Sequence, residues 1–280
     1  MSVSTATDTI PDRPLARWSA AAALRRTRSI GRAEVLLLWR NRAALMNAVL
    51  TPVAVVALAA TAHVGPDGSL SEHAFLVTSL LGFVILSTVY YTLVSTYVAR
   101  REGLVLKRLR VGEITDAEIL TGVASPALVL ALGQIVVFGV GAALFLKLPV
   151  PVNAPVLLLG AAGGMLVFAL LAAASAVFTK TVEMAQVTTL PVIFASLVGS
   201  GAVLPLDELP RAVADVLDIL PLTPVLTLMR LGWQGTSGKA APADFVGVLG
   251  DALVPAGLLL AWTVVGVLVV RRWFRWESRR

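Results

Sequence analysis

AFLVTSLLGFVILSTVYYTLVSTYVARREGLVLKRLR, residues 74–110, joins a run of 25 uncharged residues to a cluster of basic ones. A helix needs about 20 mostly apolar residues to cross the hydrocarbon core of a bilayer. The uncharged run therefore predicts a membrane-spanning helix, and the charges that follow Val98 mark the point where this helix leaves the membrane.

The rest of the chain repeats this alternation of long apolar runs and charged segments. Hydrophobic residues make up 57% of the 280 residues and charged residues only 14%, which is outside the usual range of soluble domains. We predict an all-α membrane protein with six transmembrane helices. The predicted spans are residues 43–63, 74–98, 119–146, 156–178, 184–206 and 252–270.

The distribution of basic residues predicts the orientation of these spans, because Lys and Arg are retained on the cytoplasmic side. Most of the 23 Lys and Arg residues lie before residue 43, in residues 99–118, at position 180 or after residue 270. The remaining four, which fall in the alternate loops, are Lys147, Arg211, Arg230 and Lys239. We therefore expect both termini in the cytoplasm. The net charge of +6 then reflects membrane topology, and we expect no nucleic-acid partner.

The basic stretch after the second predicted span has a helical period of its own. The apolar residues of GLVLKRLR recur at helical spacing, and Gly112 can end such a helix. Thr115 and Glu118 then have the spacing of a capping box, which would start the third span. We interpret residues 100–112 as a separate cytoplasmic helix that docks a partner. The alternative is an ordinary stop-transfer signal.

Three parts of the chain resemble, in the same order, the type-2 membrane subunits of ATP-binding-cassette (ABC) transporters. They are RAEVLLLWRNRAALMNAVLTPVAVVAL (32–58), REGLVLKRLRVGEITDAEILTG (101–122) and GSGAVLPLDELPRAVADVLDILPLTPVLTLMR (199–230). The resemblance extends from roughly residue 24 to the C-terminus. It implies a flexible cytoplasmic N-terminus (1–23), a six-span permease domain (24–270) that begins with an amphipathic interfacial helix, and a basic cytoplasmic tail (271–280).

The resemblance also implies partners and roles. The chain would pair with a cytoplasmic ATPase subunit and with a second permease copy or a close relative, and it would contact membrane lipid. ATP and Mg²⁺ would bind in the partner, with no cofactor, metal or catalytic residue in this chain. The implied ATPase-coupling residues are Arg100, Arg101, Glu102, Gly103, Lys107, Arg108 and Arg110. Re-entrant or outer helices would lie between spans five and six, with an outer gate at Leu204, Pro205, Leu209 and Pro210.

Polar and small residues within the spans allow two interpretations each. The polar candidates for a translocation path are Asn47, Thr88, Tyr91, Thr92, Ser95 and Gln134. In span two they share one helical face, but they can equally bond to carbonyls of their own helix or to a neighbouring helix. The small residues at close-packing spacing are Gly160, Gly164, Ala195 and Gly199, and they suit packing within the subunit or across a dimer.

We therefore expect an exporter of hydrophobic or amphipathic, drug- or antibiotic-like compounds in the cytoplasmic membrane of a bacterium with a GC-rich genome. An ABC exporter of a lipid-linked glycan or an ion is the alternative. An ion-coupled secondary transporter and a membrane-embedded enzyme are less favoured, because both need ionisable residues in the membrane and the predicted spans contain no acidic residue.

Overall fold

The computed structural model describes five stretches of the chain and five isolated positions near the N-terminus. These are residues 72–103, 115–146, 148–201, 216–238 and 241–273, and Arg32, Leu36, Arg42, Met46 and Leu50. The five isolated positions are helical. Most of the predicted first span and interfacial helix, and the whole of the predicted outer gate at Leu204, Pro205, Leu209 and Pro210, lie outside the described residues.

All regular structure in the described stretches is helical. Helix α1 consists of three consecutive segments, Glu72–Val84, Ile85–Tyr91 and Thr92–Glu102. It is followed by α2 (Asp116–Phe145), α3 (Ala154–Phe178), α4 (Val182–Gly199), α5 (Leu222–Gln234), α6 (Phe245–Asp251) and α7 (Leu253–Trp273). Five of these helices, α1 to α4 and α7, are long and apolar enough to cross a membrane. An all-helical membrane architecture is therefore confirmed, and five of the six predicted spans have a matching helix.

Helix α1 is the centre of the bundle. In the most apolar 18-residue stretch of α1, 72% of the residues are buried inside the protein, against 17% in the corresponding stretches of α2 and α7. The outward side chains of α2 and α7 are mostly apolar, which suits helices that face lipid or a second subunit. Helix α1, in contrast, contacts α2, α3, α4 and α5.

The middle segment of α1, Ile85–Tyr91, is a π-helix. Two hydroxyls bond to carbonyls around it: Ser87 Oγ donates to the Phe83 carbonyl at 2.8 Å, and Thr92 Oγ1 donates to the Ser87 carbonyl at 3.0 Å. Side chains that bond to the helix's own carbonyls help to satisfy groups that a change of helical period leaves poorly paired. Such segments occur frequently at functional sites.

Helix α5 is a short helix that is buried on nearly all sides. Of its residues from Leu222 to Trp233, all are buried except Thr227, which is half-buried. The helix ends at Gly235, whose φ of +74° is the left-handed conformation that commonly follows a helix C-terminus. Arg230, which the charge pattern assigns to the outer connection between spans five and six, lies on α5 and is buried inside the bundle.

Glycines let α5 approach its neighbours closely. A Cβ on Gly164 of α3 would lie 2.7 Å from Val225 Cγ1, and one on Gly232 of α5 would lie 2.7 Å from Leu157 Cα. Because Val225 contacts the later residue of α3 and Gly232 the earlier one, α5 runs antiparallel to α3. Gly160 also packs on α5, so Gly160 and Gly164 serve packing within the subunit here.

The other two predicted packing residues lie on α4. Gly199 packs against Leu217 and Leu220, which precede α5. Ala195 is on the exposed side of α4. The four small residues therefore do not form one interface.

Candidate functional site

The predicted coupling segment begins differently from the sequence-based expectation. Arg100, Arg101 and Glu102 form the last turn of α1, and the Gly103 amide still donates to the Ala99 carbonyl. A separate helix starting at Arg100 was therefore wrong, because the backbone hydrogen bonds of α1 continue through these residues without a break. Any separate helix has to begin after Gly103. Lys107, Arg108 and Arg110 lie outside the described residues.

Arg101 is buried although it is a charged residue at the end of a membrane helix. Only 5% of its surface is exposed. One terminal nitrogen donates to the Ala176 carbonyl at 2.8 Å, and the other donates to the Thr179 carbonyl. Both carbonyls belong to the C-terminal end of α3, where carbonyl groups lack helical partners and the helix dipole is negative. Arg101 thus ties the end of α1 to the end of α3.

Hydroxyl groups extend this tie to α4. Thr179 follows the last residue of α3, and its Oγ1 lies 2.9 Å from Thr188 Oγ1 of α4. One turn earlier on α3, Ser175 Oγ lies 2.9 Å from the Tyr90 hydroxyl of α1. The end of α1 is therefore joined through α3 to α4 by polar contacts in a mostly apolar bundle.

The start of α2 is also held by specific hydrogen bonds. The Thr115 amide donates to Glu118 Oε2 at 2.7 Å, and the Glu118 amide donates to Thr115 Oγ1 at 3.3 Å. This is the capping box that the sequence predicts. In addition, the Tyr97 hydroxyl donates to the Leu120 carbonyl at 3.1 Å, which joins α1 to the first turns of α2. Residues 104–114 therefore connect two anchored helix ends.

The predicted path residues of α1 do not have a common environment. Thr88 is buried, Tyr91 and Ser95 are half-buried, and Thr92 is exposed. The physical reason is the π segment, which changes the rotation per residue between Thr88 and Thr92. The hydroxyl of Thr92 bonds to its own helix, as the alternative interpretation expected.

The remaining two path candidates lie elsewhere. Gln134 on α2 is buried, with 3% of its surface exposed. Asn47 lies outside the described residues. The polar candidates are therefore not gathered into one site within the part of the chain that the structure describes.

An apolar cleft, which no sequence pattern indicated, lies between α2, α3 and α7. Its volume is about 360 Å³, and its walls include Leu128 and Leu132 of α2, Met165 and Leu166 of α3, and Val270 of α7. Leu132 and Leu166 are about half exposed, so the cleft opens toward the bilayer. A cleft of this kind suits the hydrocarbon part of a ligand. It escapes sequence reasoning because its lining is indistinguishable from any lipid-facing surface.

The chain also matches a known protein family. A family model described as ABC-2 type transporter matches residues 25–232 of the chain. No curated protein matches the chain. Since the matched region covers well over half of the sequence, the chain belongs to the ABC-2 type transporter family, which confirms the resemblance seen in the sequence. It is thus an ABC transporter permease, a membrane-embedded transport subunit that is not itself catalytic.

Proposed function

We propose that this permease is half of an exporter driven by a separate cytoplasmic ATPase, and that it moves a hydrophobic or amphipathic, drug-like compound out of the cell. The observation that carries the proposal is the anchoring of both ends of residues 104–114. A segment that includes Lys107, Arg108 and Arg110 between two fixed helix ends is suited to receive a push from a partner protein and to pass it on.

The contacts around this segment define the route of the push. On one side, Arg101 would pass a displacement of Gly103 to the C-terminal end of α3, and the hydroxyl pair of Thr179 and Thr188 would pass it to α4. On the other side, the capping box at Thr115 would move the start of α2. The apolar cleft lies between α2 and α3, so moving these two helices relative to each other would change its width.

The assembly and location are part of the same proposal. Two permease halves, from this chain or a close relative, would pair with two ATPase subunits in a bacterial cytoplasmic membrane, with both permease termini in the cytoplasm. ATP and Mg²⁺ would bind to the ATPase. The distribution of Lys and Arg supports this orientation, because basic residues such as those in 104–114 are retained on the cytoplasmic side, where the ATPase would bind.

The cargo is proposed from the lining of the apolar cleft. Its walls expose almost only hydrocarbon, which favours an apolar or amphipathic compound over an ion. A lipid-linked glycan is the second candidate, because its lipid part would also fit an apolar cleft that opens to the bilayer.

The proposal is tested by copurification in mild detergent. We expect the tagged chain to recover an ATPase activity from its native membranes, and we expect Arg108→Glu to lose it, because charge reversal opposes docking at this segment. Arg271→Glu is the matched control, since Arg271 is also a basic residue of a helix end that is expected on the cytoplasmic side. The proposal would be overturned if both variants recovered the same ATPase activity. It would also be overturned if the wild-type chain recovered no ATPase even after crosslinking.

A further inference from the structure

Helix α5 carries a polar stripe on an otherwise apolar surface. Thr223, Thr227 and Arg230 are spaced by four and three residues, so they share one face of the helix. Thr223 is used structurally, because its hydroxyl donates to the carbonyls of Gly199 and Leu217. Thr227, in contrast, makes no hydrogen bond with any residue that the structure describes. A half-buried hydroxyl beside a buried cation points to a binding site.

Arg230 is a buried cation at the end of the bundle opposite Arg100. Only 8% of its surface is exposed. Its Nε donates to Thr78 Oγ1 at 3.3 Å, a terminal nitrogen donates to the Gly201 carbonyl at 3.2 Å, and the guanidinium carbon lies 4.9 Å from the centre of the Phe75 ring. These three partners are uncharged. A guanidinium stays protonated and has five N–H donors, so two bonds leave donors for a further acceptor.

A cavity of about 180 Å³ adjoins this face of α5. Arg230 and Thr227 line it together with the hydroxyl-bearing residues Ser200 and Ser237. The opposite wall is apolar and is formed by Val254, Pro255 and Leu258 at the start of α7. Val254 is 73% exposed, so this apolar wall of the cavity reaches the surface of the protein at the start of α7, a predicted membrane span.

We propose that this cavity binds the head of an anionic amphiphile that enters from the surrounding membrane. A phosphate or carboxylate group of the ligand accepts hydrogen bonds from Arg230 and Thr227, and its hydrocarbon part lies along Val254 and Leu258. The planar guanidinium group of arginine can donate two parallel hydrogen bonds to a phosphate or a carboxylate. A negative head would also pair with the buried charge of Arg230, whose partners within the protein are uncharged. Both families of amphiphile, phospholipids and lipophilic carboxylates, present this chemistry.

Asp218 also lines the cavity and limits the charge of the ligand. A carboxylate near the bound head opposes a second negative charge. The site therefore favours a head with one negative charge, such as a phosphodiester, over a dianionic phosphate monoester.

The first test is lipid binding to the purified full chain in detergent, measured as the shift in unfolding temperature on titration with phosphatidylglycerol. We expect stabilisation of the wild type, loss of binding in Arg230→Gln, and a roughly tenfold weaker apparent affinity in Thr227→Val, which removes one bond to a charged group. Thr96→Val, on α1 and lining neither cavity, is the matched control and should bind like the wild type, because the Thr96 hydroxyl bonds to the Thr92 carbonyl of its own helix. Asp218→Asn should bind with equal or higher affinity.

Further arms identify the source of the ligand and keep the test decisive. Inorganic phosphate in large excess should leave phosphatidylglycerol bound, and displacement of phosphatidylglycerol by that excess would refute the membrane source. Arg230 also donates hydrogen bonds to Thr78 and Gly201, so Arg230→Gln can fail to fold. In that case the affinity of Thr227→Val for phosphatidylglycerol decides the test. Binding by Thr227→Val with wild-type affinity would overturn the proposal. No ATPase is present in this binding test, so its failure would not affect the export proposal. Failure of the ATPase copurification would likewise not affect the lipid-binding proposal.

Discussion

Gly232→Ala tests the close packing of α5 against α3. The new Cβ would overlap most with the backbone nitrogen of Leu157, and it would lie 2.7 Å from Leu157 Cα, about 0.7 Å short of the 3.4 Å at which ordinary contact begins. Since Leu157 Cα is backbone, no rotamer change relieves the overlap, and the two helices have to separate. Overpacking of this kind costs about 1 to 3 kcal/mol, from which the helix propensity of alanine over glycine recovers at most about 1 kcal/mol.

Thermal unfolding of the purified chain in detergent measures this cost. After this recovery the net destabilisation is about 0 to 2 kcal/mol. Relative to an alanine variant that gains the same helix propensity without the overlap, the full cost of about 1 to 3 kcal/mol lowers the unfolding temperature by about 2 to 12 °C in a protein of this size. Gly133→Ala is the matched control, because Gly133 lies within α2 and a Cβ there meets nothing within 4 Å. We expect it to leave the unfolding temperature unchanged or to raise it. Equal unfolding temperatures for the two variants would refute the close approach of α5 and α3.

Three further substitutions test the polar contacts at the Arg100 end of the bundle. Arg101→Gln removes a cation whose hydrogen bonds contribute about 1.5 to 3 kcal/mol each, and we expect faster amide hydrogen exchange at the C-terminal end of α3; unchanged exchange there would contradict the tie. Thr115→Ala removes half of the capping box at a cost of about 1 kcal/mol, so exchange of the Glu118 amide should accelerate, whereas Thr115→Ser should retain protection. Thr188→Val removes the hydroxyl pair between α3 and α4, and a cost of about 1 kcal/mol should lower the unfolding temperature by about 2 to 4 °C; an equal effect of Thr121→Val, whose hydroxyl bonds only to its own helix, would argue against that contact.

Local features of the fold were predictable from the sequence. The membrane helices follow from the length of uncharged runs, and the run 156–178 corresponds to α3 at Ala154–Phe178. The predicted span 184–206 was too long at its end, because α4 ends at Gly199. The capping box at Thr115 is equally local, because it depends on residues three apart. Patterns of this kind need no knowledge of the neighbouring helices.

Features that depend on tertiary packing were not predictable. Arg101 and Arg230 have the same sequence signature as topology determinants, and only the neighbouring helices show that both guanidinium groups are buried. Helix α5 was missed as a buried element, since a mostly apolar helix of thirteen residues fits the membrane interface as well as a protein core. The π segment leaves no mark in residue spacing, so the path residues of α1 were assigned to one face on the assumption of a uniform helix.

The burial of α5 also sets an order of events during biogenesis. Chains emerge from the ribosome with the N-terminus first, so α1 and α3 are made before α5. A helix of thirteen residues is too short to be inserted as an independent span. It therefore has to dock late, into a groove that the earlier helices have already formed. Arg230 enters with it, and the charge is accepted only once Thr78 and Gly201 are in place to receive its hydrogen bonds.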